Sequence, residues 1–295
     1  MRVTQSMLSN NMLRNLSNSY NNMGKLQEQI NTGKRVNRPS DDPVSVMKSL
    51  GYGMTVDKVG QYQKNLGEVN NWLDSTDDAL DGVGDVLQRA KELATNASNT
   101  GSMTKEDRDK IKIELDQMQQ QLHDLANTKV GDKYIFSGTN TDTPLYAEGA
   151  YSSASGINSE VNIEVFDGVS LRVNTKALES FSEIDKIFND IKKKVDNSED
   201  YDDTVEFGPI ISRIEKEFDK VLTNRADVGA RSNRAELMKN RLEMQEGAAK
   251  KQRSENEDVD YEVAITELIT SESIHRAALS VGARIIQPSL VDFLR

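Results

Sequence analysis

Residues 66–97 read LGEVNNWLDSTDDALDGVGDVLQRAKELATNA, and small or apolar residues recur along this stretch in alternating steps of three and four. The ten repeat positions are Leu66, Val69, Leu73, Thr76, Leu80, Val83, Leu87, Ala90, Ala94 and Ala97. A seven-residue repeat of this kind keeps a narrow apolar stripe on one side of a helix, where another helix covers it. The stretch therefore predicts a long helix packed along a seam, with Trp72 in the core beside it.

Further segments show the same repeat, and several seams in one chain predict a bundle of helices. The N-terminal seam consists of Leu13, Leu16, Tyr20, Met23 and Ile30. A third seam consists of Ile111, Leu115, Met118, Leu122 and Leu125. A fourth begins with Ile211, Ile214, Phe218 and Val221 and weakens through Val228, Ala235, Met238, Leu242 and Ala249. The C-terminal seam consists of Leu279, Ala283, Ile286, Leu290 and Phe293.

Apolar seams at both ends of a chain need partners, because terminal helices fray unless something ties them down. The simplest geometry pairs residues 5–32 with residues 260–293 as an antiparallel coiled coil. Two helices alone still expose apolar surface, which repeated association with copies of the chain or its relatives would cover. We therefore expect the two terminal seams to form an assembly interface.

The segment Arg35–Pro43, RVNRPSDDP, must leave the helix because each proline removes a backbone donor and restricts the residue before it. We expect Ser40 or Asp41 to cap the following helix and Pro43 to be its first residue. The turn between domains is predicted to consist of Arg35, Asn37, Pro39, Asp41, Asp42 and Pro43.

A second turn is expected at residues 99–102, NTGS, after which Thr104 with Asp107 caps the next helix. From about residue 130 to 175 the pattern changes to strand. Residues 132–137 are β-prone, and the segments 162–166 and 169–173 flank an Asp-Gly pair that is typical of a two-residue hairpin. This β-rich insert either closes the helical hairpin at the surface or forms a docking surface.

Composition excludes several classes of protein. The formal net charge of −11 disfavours nucleic acid, which binds to clustered Lys and Arg. No run of about 18 apolar residues indicates a membrane span, and no apolar segment near Met1 indicates a cleaved secretory signal. There is no cysteine, so no disulfide framework is possible. Composition alone indicates a cytoplasmic protein.

No group of residues predicts catalysis, a cofactor site or a metal site. His123 and His275 lie far apart and have no cysteine near them, which argues against zinc. Residues 51–53, Gly-Tyr-Gly, follow no predicted strand, so a nucleotide loop is rejected. The acidic residues from 196 to 202 lack the glycine and closing glutamate of a calcium loop. We therefore expect a protein without enzymatic activity, cofactor or metal.

Three segments resemble the flagellin superfamily. Residues 26–43, LQEQINTGKRVNRPSDDP, resemble the end of the family's first helix and its turn. Residues 87–94, LQRAKELA, resemble part of the next helix, and residues 277–294, AALSVGARIIQPSLVDFL, resemble the C-terminal helix. The resemblance covers both ends and most helical segments but not the insert from about 145 to 175.

The resemblance implies a mainly α fold: an elongated helical bundle with a terminal antiparallel coiled coil and a small β-rich insert. Residues 1–42 and 255–295 would form the inner, axial domain, and residues 43–254 the outer bundle with the insert at about 130–175. It further implies export in unfolded form through the flagellar type III channel, without a cleaved signal, to an extracellular position in the flagellum.

Within the family, residues 1–5, 39–43 and 288–294 favour a subunit that joins the hook to the filament over the filament subunit. The partners implied are copies of the chain itself, a hook-side junction protein, flagellin and a cytosolic export chaperone, with no nucleic acid or membrane. Flagellin itself and another exported coiled-coil structural protein stay open as alternatives.

Overall fold

The computed structural model describes residues 5–98, 104–152, 154–196 and 207–286, and this part of the chain is mainly helical. Its helices are α1 (Gln5–Thr32), α2 (Pro43–Ser98), α3 (Lys105–Ala126), α4 (Leu178–Asp196), α5 (Gly208–Glu257) and α6 (Tyr261–Ile286). Its strands pair antiparallel two by two: β1 (Lys129–Val130) with β2 (Lys133–Tyr134), β3 (Tyr146–Ala147) with β4 (Ala150–Tyr151), and β5 (Asn162–Phe166) with β6 (Val169–Arg172). The predicted class, mainly α with a small β-rich insert, is confirmed.

Contacts divide the chain into two compact units, and the divisions fall within α2 and α5. We call residues 1–58 and 245–295 the terminal unit and residues 59–244 the central unit. The terminal unit contains α1, α6 and the adjoining ends of α2 and α5. The central unit contains the rest of α2 and α5, together with α3, α4 and all strands.

The seam of α2 lies in the middle of the core of the central unit. All ten of its predicted positions, from Leu66 to Ala97, are buried, and Trp72 beside it is only 4% exposed. Ile111, Leu115, Met118 and Leu122 of α3 are also buried. These predictions are confirmed, and they show that the seven-residue repeat marks the packed side of each helix.

Helix α4 was not predicted, although it follows the same rule. Its core residues are Phe181, Ile184, Phe188, Ile191 and Val195, in steps of three and four, and all are buried. The helix comes soon after the strands of the insert and has only five repeat positions. The periodicity that identifies the longer seams was sufficient to find it.

In α5, Ile214, Val221, Val228, Ala235 and Leu242 are buried at seven-residue intervals. The seam weakens because ion pairs replace apolar contacts at intermediate positions. Arg225 binds Asp77 of α2 at 3.0 Å and also pairs with Asp81. The weakening therefore reflects polar contacts between α2 and α5, and the helix does not end there.

The predicted hairpin of the insert is confirmed in β5 and β6. Its turn is Asp167-Gly168, and Gly168 has the φ of +69° that such a turn requires. The hairpin packs on α2, because the Tyr62 hydroxyl donates to Glu164 Oε1 at 3.1 Å. In the β-prone segment 132–137 only Lys133–Tyr134 form strand, and the apolar residues that follow are buried outside any strand.

The cap of α3 is confirmed as well. The Thr104 hydroxyl accepts from the backbone N–H of Asp107 and donates to its carboxylate at 2.7 Å, a bond that lowers the Asp107 pKa. The predicted turn at residues 99–102 lies outside the described residues, as does most of the acidic stretch from 196 to 202.

We expect Phe188→Ala to lower the free energy of unfolding of the full chain by about 3–5 kcal/mol, because it leaves a cavity where the side chain is fully buried. Denaturant unfolding followed by circular dichroism measures this change. The control is Lys193→Ala on the exposed side of α4, where the change should stay within about 0.5 kcal/mol. Equal stability of the two variants would contradict the role of α4 in the core.

Candidate assembly surface

Helices α1 and α6 pack against each other in antiparallel directions. The rings of Tyr20 and His275 lie 6.1 Å apart. Nearer the start of α1, Met12 lies against Gly282, and just beyond its end the backbone of Gly33 accepts from Val259 N at 3.0 Å. Residue numbers therefore rise along one helix as they fall along the other. This pairing is the terminal antiparallel coiled coil predicted from the sequence.

The contact face of each helix follows the seven-residue repeat. On α1 the less exposed positions are Met12, Leu16, Ser19, Met23, Leu26 and Ile30. On α6 they are Ala264, Leu268, Ser271, His275, Ala278 and Gly282. Both rows advance in alternating steps of four and three, which is the coiled-coil spacing. Three of these twelve positions are Ser19, Ser271 and His275, so this seam is more polar than that of α2.

The predicted N-terminal seam lies partly on this face. Leu16, Met23 and Ile30 are half-buried in it. Leu13 and Tyr20 are displaced to one side and are 55% and 65% exposed.

The predicted C-terminal seam lies beside the face that meets α1. Leu279 and Ala283 are exposed, Ile286 is the last residue of α6, and Leu290 and Phe293 lie outside the described residues. The reason is that α6 has a second row of residues with coiled-coil spacing, of which four of six are apolar. This row, which we call the outer seam, contains Ile265, Ile269, Glu272, Arg276, Leu279 and Ala283 in steps of four and three, and Glu272 pairs with Arg276 within it.

Exposed apolar side chains concentrate in the terminal unit. Within the described residues, fifteen large apolar side chains are well exposed there, against four in the central unit. The buried apolar residues of the terminal unit are Ala249 and Ala264, both small. A soluble monomer seldom exposes so much apolar surface while burying so little. The terminal unit therefore contains most of the large apolar side chains that the described part of the chain exposes.

The turn after α1 is bound to the junction of α5 and α6. Gly33, with φ +71°, ends α1 in the left-handed conformation common at helix C-termini. The Arg35 backbone N–H donates to Glu257 O at 2.7 Å, and its guanidinium donates to Asn256 O at 3.0 Å. Lys34 pairs with Asp258 as an isolated antiparallel bridge. Backbone bonds thus fix the start of the turn on a segment more than two hundred residues away.

Charged side chains stabilise the same junction. Glu257 is buried and pairs with both Lys34 and Arg253, and the hydrogen bond from Lys34 is the main reason why its pKa is lowered. Asp41 lies 3.0 Å from Lys25 of α1, and this hydrogen bond lowers the pKa of Asp41. The ionised form of both carboxylates is therefore favoured, one bound to the start of the turn and the other near its end.

The remaining predicted turn residues have separate places. Asn37 Oδ1 accepts from the Thr32 hydroxyl at 2.9 Å, and Pro39 lies exposed in the turn. Pro43 is the first residue of α2, as predicted.

The prediction that Ser40 or Asp41 caps α2 is wrong. Asp42 Oδ1 accepts from the backbone N–H groups of Val44 and Ser45 at 3.1 Å, and the Ser45 hydroxyl donates to Asp42 Oδ2. These bonds lower the pKa of Asp42. Because Pro43 occupies the first helical position, the residue directly before it is the cap.

Chemistry other than assembly finds little support in the described residues. They contain no cluster of three or more residues that could hold a metal ion, and none of their helices is apolar and long enough to cross a membrane. His123 packs between secondary-structure elements: its Nε2 lies 2.8 Å from Asp185 Oδ1 and its ring stacks on Tyr146 at 3.6 Å. Residues 51–53 lie inside α2, where no phosphate loop forms.

Comparison with known proteins defines the class of this chain. The model of the bacterial flagellin N-terminal helical region matches residues 3–141, and that of the C-terminal helical region matches residues 211–294. The chain belongs to the flagellin family. The matches leave out residues 142–210, where β3 to β6 and α4 lie.

Within the family, the chain is similar to flagellar hook-associated protein 3 of Escherichia coli (strain K12), with 26% identity over 301 residues that span 94% of this chain and 95% of the relative. It is 25% identical to flagellin of Bacillus subtilis (strain 168) over 298 residues, 96% of each chain. The crystal structure of Bacillus cereus FlgL superposes with a TM-score of 0.59 at 25% identity, covering 69% of this chain and 99% of that one.

We expect limited proteolysis of the dilute, purified chain to cut within α1 and α6 before it cuts within the central unit. The reason is that the seam between these helices is partly polar and the terminal unit buries little apolar surface. Mass spectrometry of the fragments over time should show a resistant product close to residues 43–254. Equal resistance of α1, α6 and the central unit would contradict this expectation.

Proposed function

We propose that this protein is a structural subunit of the bacterial flagellum that joins the hook to the flagellin filament. The observation that carries the proposal is similarity to hook-associated protein 3 along nearly the whole of both chains. The concentration of exposed apolar residues in the terminal unit supports it independently, because subunits of an assembly bury such surface against one another.

In this proposal α1 and the outer seam of α6 form the contacts between subunits. Burial of one large apolar side chain contributes about 1.5–3 kcal/mol, and because association also costs translational and rotational entropy, Ile269 and Leu279 would act together with other exposed apolar residues of the terminal unit. The predicted interface residues Leu13 and Tyr20 extend this surface on α1. Neighbouring copies of the chain, a hook-side junction protein and flagellin are the proposed partners.

The turn at residues 33–42 lies within the terminal unit and is proposed to connect an inner, axial pair of helices, α1 and α6, to α2, which continues into an outer bundle. A few turn residues absorb backbone rotation without repacking the helices on either side. A link between a bending hook and a stiff filament needs such an adjustment in every subunit. The ion pairs of Glu257 and Asp41 would hold the turn while leaving Pro39 and Ser40 free of buried contacts.

The proposal places the protein outside the cell, after export in unfolded form through the flagellar channel. A cytosolic chaperone would cover the exposed apolar residues of the terminal helices before export. The role is structural and requires no catalytic group or cofactor.

The second candidate is flagellin itself, which the similarity to the Bacillus subtilis protein favours. Deletion of the gene separates the two. Loss of a junction subunit leaves hooks without filaments while flagellin is released into the medium, and a tagged copy restores filaments and labels only the zone next to the hook. Label along the entire filament, or a deletion strain that releases no flagellin, would support the second candidate and refute the junction role.

We expect Leu279→Asp to abolish filament attachment while the purified protein melts like the unchanged chain. Leu279 is 48% exposed, so the new carboxylate stays hydrated in the free protein, whereas burial in a contact without a partner costs several kcal/mol. Electron microscopy and the amount of flagellin in the medium measure the effect. Ser280→Asp, on the neighbouring exposed position outside the outer seam, is the control and should assemble normally. Normal filaments with Leu279→Asp would exclude the outer seam from assembly.

We expect replacement of residues 39–43 by five alanines to raise helix content and prevent assembly. The change removes both prolines, the Asp42 cap and the bond from Asp41 to Lys25, so helix extends through the turn. Circular dichroism and motility measure the two effects. The double variant Pro43→Ala, Val44→Ala keeps Asp41 and Asp42 and should remain motile. Motility of the five-alanine variant would show that the turn is ordinary connecting chain.

A further inference from the structure

The side of α5 that faces away from the core has no charged residue in its central row between residues 226 and 244. The core side of this segment contains Val228, Ala235 and Leu242, all buried. Half a turn away lies a row in steps of four and three, which we call the outer α5 stripe. It consists of Ala226, Ala230, Asn233, Leu237, Asn240 and Met244, all of them exposed.

The most exposed side of a surface helix is usually the most highly charged. Here Leu237 is 70% exposed and Met244 is 71% exposed. Together with Leu222 on the same helix, they are three of the four large, well-exposed apolar side chains in the described part of the central unit. An uncharged, partly apolar row with coiled-coil spacing in this place is a contact surface for another helix.

We propose that the outer α5 stripe packs against the same stripe of a second copy of this chain, with the two helices parallel. The charged residues beside the stripe are the reason for a second copy as occupant, because two copies in one orientation place opposite charges against each other. The formal net charge of −11 on each chain opposes association, so a contact is expected only where the meeting surfaces have no net charge. The stripe itself provides such a surface over about 27 Å of helix.

The residues beside the stripe determine the direction of pairing. Glu236 and Glu243 flank it on one side, and Arg234 and Arg241 flank it on the other. In a parallel pair, Glu236 of each copy lies opposite Arg241 of the other copy, a residue five positions later in the sequence. The two-fold symmetry of the pair gives two such contacts. An antiparallel pair would bring glutamate to glutamate and arginine to arginine, which is unfavourable.

Two further contacts fit the same arrangement. Asn233 and Asn240 are seven residues apart, and an amide side chain both donates to and accepts from its counterpart in a parallel pair, which fixes the register. The Arg241 guanidinium lies 4.4 Å from the centre of the Phe166 ring, so the β5–β6 hairpin holds it at the edge of the stripe. The surface belongs to the central unit and contains no residue of the terminal seams, so this proposal and the proposed function fail separately.

Sedimentation equilibrium of the purified full chain tests the proposal by charge exchange. Glu236→Arg and Arg241→Glu should each weaken dimer formation at least about tenfold, since each replaces two attractive pairs by repulsive ones. The double variant exchanges the two charges and should restore dimer formation. Absence of a concentration-dependent dimer in the unchanged chain, or a double variant as weak as the single ones, would overturn the proposal.

A second measurement does not depend on the charged residues. The chain has no cysteine, so Leu237→Cys introduces a unique thiol at the centre of the stripe. In a parallel pair this position faces itself at a distance that a disulfide can span, and oxidation should convert the variant to a covalent dimer. The control is Lys239→Cys, exposed on another side of the same turn, which should stay monomeric. Equal cross-linking of the two variants, or none with Leu237→Cys, would refute the contact.

Discussion

The central unit depends on the apolar seam along α2. Every seam position from Leu66 to Ala97 is buried, and the core residues of α3, α4 and α5 belong to the same cluster. Most of the stability of a helix in a protein comes from packing of its apolar side, and α2 buries that side from Val59 to Ala97. Different elements pack against different segments of α2, and the β5–β6 hairpin packs against it near Tyr62 and Asn65. The insert is thus part of the packing of this unit.

The terminal unit, by contrast, buries little apolar surface. Its internal seam contains Ser19, Ser271 and His275, and the Nδ1 atom of His275 is buried without a hydrogen-bond partner. Its large apolar residues lie mainly on the outside, so little hydrophobic free energy stabilises the packing of α1 on α6. What holds the unit together is largely polar: the backbone bonds of Gly33 and Arg35 and the ion pairs of Glu257.

The two units therefore differ in how much of their large apolar surface they bury internally. A central unit with a complete core folds independently of neighbours, whereas terminal helices with incomplete cover respond to them. The two exposed rows described above, one on α6 and one on α5, differ in composition. The row on α6 contains isoleucine and leucine with one glutamate and one arginine between them, whereas that on α5 consists of small, amide and apolar residues without a charge.

The sequence by itself determined which segments are helical, which side of α2, α3 and α5 is buried, and where the β5–β6 turn lies. Each of these follows from local chemistry: a repeat of seven, an Asp-Gly pair, a threonine three residues before an aspartate. The sequence also contained the signal for α4, which was overlooked. Only the tertiary structure decided which of two adjacent apolar rows of α6 meets α1, because both rows have coiled-coil spacing and differ only in what lies opposite. It also decided that Glu257 and Arg35 meet, since no local pattern links residues so far apart in the chain.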